Sequence, residues 1–147
     1  MLGGYSFSTL PLQFIDTGQS QCSTGECVRY TQPQFKTHPK LVEEFSHTTL
    51  QLQQALAETD IKKIMPIIQK NHQLLITIGV IPKKVQHFIG EIEKLGMVGK
   101  ICGAGSIRGD KAGIVLIVGE KDITQLINDY QYETLDLKEE KHGAHLL

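Results

Sequence analysis

Two stretches of the chain combine glycine, hydroxyl and charged residues in a way suited to holding an anion. The first is Gly103-Ala104-Gly105-Ser106-Ile107-Arg108-Gly109-Asp110-Lys111-Ala112-Gly113. Glycines reach positive φ and let the backbone approach a ligand closely, so exposed N–H groups can receive phosphate oxygens. The stretch is not a P-loop, because Gly109 is followed by Asp110-Lys111-Ala112 where Lys and then Ser or Thr are required. It is not a dinucleotide fingerprint either: Arg108 stands in place of the third glycine, and a strand rather than a helix follows. A hairpin with a long glycine-rich connection is the plainer reading, and both readings stay open at this point. The second stretch runs from Thr17-Gly18 to Ser23-Thr24-Gly25-Glu26. Ser23 and Thr24 are residues of the kind that cap a helix start. The free amides of the same helix start would also favour an anionic substrate.

The remaining reactive side chains are more scattered. His38, His47, His72, His87, His142 and His145 contain no i, i+4 pair with a carboxylate between, so no metal site is expected. His72 lies beside Asn71 on an apolar helix and is expected to be a hydrogen-bonded packing residue. Cys22, Cys27 and Cys102 are odd in number and lack the two-residue gap of a zinc knuckle or redox motif. Free, partly buried thiols in a reducing compartment are expected, rather than a Cys22–Cys27 bridge.

These residues must be positioned by a chain of 147 residues, 40% hydrophobic and 21% charged, with a formal net charge of −1. That is enough for one domain with a real core, and too apolar for disorder. The charge balance provides no attraction for nucleic acid or an anionic membrane surface. No stretch reaches the roughly 20 apolar residues of a membrane span, and the start Met1-Leu2-Gly3-Gly4 has no signal-peptide pattern. A cytoplasmic protein is expected.

The run Leu10–Asp16 reads as a strand. A helix should start at Ser23 or Thr24, reach Arg29 or Tyr30, and break at Gln32-Pro33-Gln34. Leu41, Phe45, Thr48, Leu52 and Leu56 recur at helical spacing. Asp60 should cap a third helix, through Ile64, Ile68, Leu75 and Ile78, that Gly79 ends. A further helix after Pro82 places Val85, Phe88, Ile89, Ile92 and Leu95 on one face. Val98–Cys102 and Ile114–Val118 are β-branched runs on either side of the glycine stretch. A short helix through Ile123 and Ile127, and a strand near Tyr132–Leu137, complete a domain spanning residues 1–137, with a loose tail at 138–147. The order predicts an α+β fold with helices on one face of a small, mainly antiparallel sheet. Its closing β–loop–β–α–β run matches half of a ferredoxin-like unit.

Three segments, in order, resemble a known family. Asp16-Thr17-Gly18 with Ser23-Thr24-Gly25-Glu26-Cys27-Val28 resembles the strand-to-helix segment of mevalonate kinases. Asn71-His72-Gln73-Leu74-Leu75 with Gly79-Val80 resembles their "N..LL..lGV" helix end. Gly99-Lys100-Ile101-Cys102-Gly103-Ala104-Gly105 resembles the "GaKlTGAG" motif of the GHMP kinases, with Cys102 for a common Thr and Ser106–Ala112 as an insertion. The resemblance implies a ferredoxin-like GHMP kinase C-terminal domain, closing on a missing N-terminal domain with ATP and an acceptor alcohol in the cleft between them. It implies that Ser23, Thr24 and Ala104 face the substrate and that Gly103, Gly105 and Ser106 lie near the phosphates. The family's P-x-x-x-G-L-x-S-S-A motif is absent from the sequence, and so are its catalytic Asp–Lys pair and Mg²⁺ ligands. The implied parent uses ATP and Mg²⁺ to convert mevalonate to 5-phosphomevalonate, and this chain alone is expected to be inactive. It is expected to carry an apolar face through which it could self-associate. Phosphomevalonate, galactose, homoserine or sugar kinases, and a non-catalytic ferredoxin-like binding module, are the alternatives.

Overall fold

The computed structural model of the protein describes residues 10–135. The expected tail at 138–147 and the domain limit at 137 lie outside the described residues. The elements are β1 (Leu12–Asp16), α1 (Thr24–Thr37), α2 (Pro39–Glu58), α3 (Ile61–Thr77), α4 (Lys83–Lys94), β2 (Val98–Ile101), β3 (Ile114–Val118), α5 (Thr124–Tyr130) and β4 (Glu133–Leu135). Among the described residues no helix is long and apolar enough to cross a membrane.

Local chemistry explains most of these boundaries. Ser23 Oγ accepts from the Glu26 N–H at 3.1 Å, and the Glu26 carboxylate accepts from the Ser23 N–H at 3.4 Å. This reciprocal box satisfies two of the amides that a helix start leaves unpaired. The break expected at Gln32-Pro33-Gln34 is absent, and α1 continues through Pro33 to Thr37. Pro33 is exposed, while Thr31 and Phe35 hold the helix on its inner side. The proline therefore costs one backbone hydrogen bond without ending the helix. The break comes at His38, before Pro39, which occupies the first turn of α2. Phe35 meets Phe45 edge to face, with centroids 5.7 Å apart, and couples the two helices. Asp60 caps α3 by accepting from the Lys62 N–H at 3.1 Å. Val85, Phe88, Ile89 and Ile92 are the buried face of α4. Leu95, expected on that face, is instead the C-cap residue and is 37% exposed.

The four strands are ordered β2-β3-β1-β4, and every neighbouring pair is antiparallel. β1 and β2 thus run the same way with β3 opposed between them, and α1–α4 form the crossover. The ferredoxin-like order therefore begins at β1 and is whole, rather than confined to the closing run. Helices cover both faces rather than one. Ile15, Val115, Ile117 and Ile101 pack against α4 and α5 on one side. Val98, Val118, Leu12 and Leu116 pack against Ala55, Ile64 and Ile68 of α2 and α3 on the other.

This register decides where chemistry can occur. Asp16 at the end of β1 pairs with Ile114 at the start of β3, and Ile101 at the end of β2 pairs with Val115. The link from β1 to α1 and the glycine-rich β2–β3 connection therefore leave the sheet at one end, side by side.

Candidate functional site

Thr17 joins the two segments. Its N–H and hydroxyl both donate to Gly113 O, at 2.9 and 2.8 Å, and its Oγ1 accepts from the Ala112 N–H at 2.9 Å. Gly113 N–H returns a bond to Gly18 O at 2.8 Å. Further along, Ser20 Oγ donates to Gly105 O at 3.0 Å, and the Ser106 N–H donates to Val80 O at 2.8 Å. Gly105 has φ +80°, and a Cβ there would strike Val80 O. Only glycine lets the loop pass so close to the α3–α4 link. Arg108 completes the clamp, with Nη1 2.7 Å from Glu26 Oε2 and Nη2 3.1 Å from Gln21 O. The guanidinium holds the Glu26 carboxyl below its ordinary range, helped by the Ser23 N–H.

Between the segments lies a hollow of about 260 Å³, lined by Ser20, Cys22, Thr24, Cys102, Gly103, Ala104, Gly105, Ala112, Gly113 and Ile114. Thr24 and Gly25 occupy the first two positions of α1, where amides have no intrahelical partner. Among the described residues, neither these two amides nor those of Gly103, Ala104 and Gly105 donate to a protein group. Five N–H groups near one small space, two of them at the positive end of a helix dipole, are suited to anionic oxygen. Lys100 lies in β2, two residues before Cys102, and burial lowers its pKa.

Of the residues expected at the site, the structure brings Thr24, Gly103, Ala104 and Gly105 to the hollow. Ser23 and Ser106 are not in its wall. The Ser23 hydroxyl is the cap of α1. Ser106 is 1% exposed, and its hydroxyl donates inward to Arg108 O at 2.6 Å, with Cys22 Sγ 3.3 Å from the same oxygen. Ser20, Cys22, Cys102 and Ile114 line the hollow without having been expected there. The turn-rich Thr17-Gly18-Gln19-Ser20 run was the available signal for the first of them. All three cysteines are free; Cys22 and Cys27 are buried, and Cys102 is partly so. His72 is packed as expected but not hydrogen-bonded: among the described residues its Nδ1 has no partner, like the Oδ1 of neighbouring Asn71. Burial pushes the His72 pKa down to about 4. The wall of the hollow contains no carboxylate, and no group of three or more His, Cys, Asp or Glu among the described residues could hold a metal. These residues therefore suit phosphate oxygens but do not by themselves fit Mg²⁺.

Solved structures share this architecture. The L. major mevalonate kinase in complex with R-mevalonate superposes with a TM-score of 0.66 at 20% identity, over 80% of this chain and 37% of that one. The Streptococcus pneumoniae phosphomevalonate kinase in complex with phosphomevalonate and AMPPNP gives a TM-score of 0.64 at 17% identity, over 84% and 39%. The chain has the fold of one part of these kinases. The Lin0012 protein from Listeria innocua gives 0.71 at 16% identity, over 86% of this chain and 38% of that chain. The chain thus spans less than two-fifths of the length of these kinase-fold proteins. No protein-family model and no curated protein matches the sequence.

Proposed function

We propose that the chain is the C-terminal, substrate-side domain of an ATP-dependent small-molecule kinase of the GHMP type, with mevalonate as the acceptor. The observation that carries this reading is the hollow lined by Thr24 at the start of α1 and by Gly103, Ala104 and Gly105, within a fold shared with mevalonate and phosphomevalonate kinases. In this role Thr24 and Ala104 contact the acceptor, and the glycine amides steady phosphoryl oxygens as charge develops on them. Ser23 acts one step removed, by fixing the helix start that presents those amides.

The chain contributes binding and orientation. It offers no carboxylate or base in the hollow, so the catalytic groups and the Mg²⁺ ligands belong to a partner N-terminal domain that contacts ATP. Phosphoryl transfer needs nucleotide, metal and acceptor held together, and this chain by itself is inactive. The assembled enzyme works in the cytoplasm, in isoprenoid synthesis. The test is a coupled ADP-release assay with ATP, Mg²⁺ and either mevalonate or phosphomevalonate. It is run on the chain alone and on the chain joined to the domain encoded upstream. Mevalonate-dependent turnover by the joined protein only is the expected result. Turnover by the chain alone, or a joined protein that phosphorylates neither alcohol, overturns the proposal.

A further inference from the structure

Cys22 and Cys27 stand on either side of the α1 cap, in a geometry that the binding role leaves unused. Cys22 immediately precedes the cap residue Ser23, and Cys27 is the fourth residue of the helix. These two positions are brought together at a helix start. Both sulfurs also rest on the same turn of the glycine-rich connection. Ser106 Oγ lies 3.3 Å from Cys22 Sγ, within hydrogen-bonding distance, and Cys27 Sγ donates to Gly105 O at 3.6 Å. Cys22 is 7% exposed and is one of the residues in the wall of the hollow.

We propose that Cys22 is a thiol-modification site in the wall of the hollow, with Cys27 as its resolving thiol, so that a small peroxide converts the pair to a Cys22–Cys27 disulfide. This rests on local geometry and is independent of the kinase reading. The reactive form of a cysteine is its thiolate. At Cys22 the Ser106 hydroxyl, the backbone of Ile107 and Arg108, and the Arg108 charge all favour that form against the opposing effect of burial. At Cys27 burial raises the pKa, so it keeps its proton. Cys102 is more exposed than either, but burial raises its pKa too.

The chemistry balances with the peroxide as the oxidant. The Cys22 thiolate attacks the O–O bond; an S–O bond forms, and the departing hydroxide leaves as water after taking a proton. The Cys27 sulfur then attacks the Cys22 sulfur. The S–S bond forms, the S–O bond breaks, and the Cys27 proton leaves with the hydroxyl as a second water. The two sulfurs together give two electrons to the peroxide.

The sequence makes the products easy to separate. No Lys or Arg precedes Arg29, so trypsin leaves Cys22 and Cys27 in the peptide 1–29 and Cys102 in the peptide 101–108. With limiting maleimide on the reduced chain, Cys22 is labelled several-fold faster than Cys102, the reverse of their order of exposure. With limiting hydrogen peroxide, peptide 1–29 loses the mass of two hydrogens while Cys102 stays open to alkylation. In Cys27→Ser the reaction stops at a Cys22 sulfenic acid that dimedone traps, and in Ser106→Ala labelling of Cys22 slows while that of Cys102 does not. Labelling of Cys102 first, or a peptide 1–29 that gains oxygen without losing hydrogens, overturns the proposal. Both decisive readings use the unmodified sequence, so neither depends on a variant folding.

Discussion

At Gly105 the backbone adopts φ +80° with Val80 O directly against the position of a Cβ. Gly105→Ala therefore meets both the penalty of a left-handed conformation and a backbone clash that no rotamer relieves. A loss of about 2 kcal/mol or more in urea unfolding is expected, together with loss of the Ser106 N–H bond to Val80 O. Stability unchanged within about 0.5 kcal/mol would mean that the loop is not held in this way. His72 carries the other prediction at this scale. Its pKa is about 4 in the folded chain, against an ordinary 6.5, because burial disfavours the charged ring. Between those values the unfolded chain binds the proton and the folded chain does not. Stability is therefore full above about pH 6.5 and is lost as pH falls toward 4, by up to about 3 kcal/mol. His72→Gln should flatten that slope in a series of urea titrations at stepped pH; an unchanged slope would assign the acid sensitivity to other groups. The Ser23 cap was legible in the sequence because capping is a contact three residues long. The inward turn of Ser106 was not, because it is set by Val80 O and the Cys22 sulfur, both distant in the chain.

The helices show the same division at the scale of elements. α2, α3 and α4 follow from apolar spacing, with Asp60 marking one start and Gly79 and Gly96 lying past the ends. α1 runs past the break that Pro33 predicts, because a proline breaks a helix only when nothing holds the two halves together, and Thr31 and Phe35 do so here. This has a measurable consequence. Pro33 is exposed and interrupts the hydrogen-bond ladder, so Pro33→Ala should restore one bond without disturbing packing. An increase of about 1 kcal/mol or more is expected in urea unfolding, reduced from the full helix-interior penalty because alanine also frees the unfolded chain. A decrease would show that the proline sets a bend on which α1 packing depends. The strand order was beyond local reasoning. Each strand is visible as a short β-branched run, but the insertion of β3 between β1 and β2 is a long-range choice. That choice brings the two anion-suited stretches together, so the site became visible only through the register.

Among the described residues the sheet is covered unevenly at the scale of the whole fold, and this bears on how the chain behaves alone. On the face where α2 and α3 pack, their cover reaches Val98, Val118, Leu12 and Leu116. Further toward β4 the same face presents Phe14, Ile114 and Leu135, all half-buried and in neither core cluster of the described residues. Phe14 and Leu135 are direct partners across β1 and β4, so these apolar side chains offer a surface on which another protein surface could pack. The core itself is whole, since the opposite face buries Ile15, Val115, Ile117 and Phe88 completely. The chain should accordingly fold cooperatively on its own yet remain adhesive at this strip. Three outcomes are expected for the isolated chain: binding of an apolar dye, a light-scattering mass that rises with concentration, and suppression of both by Phe14→Ser without loss of helical circular dichroism. If the proposed function is right, joining the chain to an N-terminal kinase domain that covers the strip should suppress them as well. A dye-free monomer at high concentration would show that the strip is already closed within the chain, and the proposed N-terminal domain would then have to dock elsewhere.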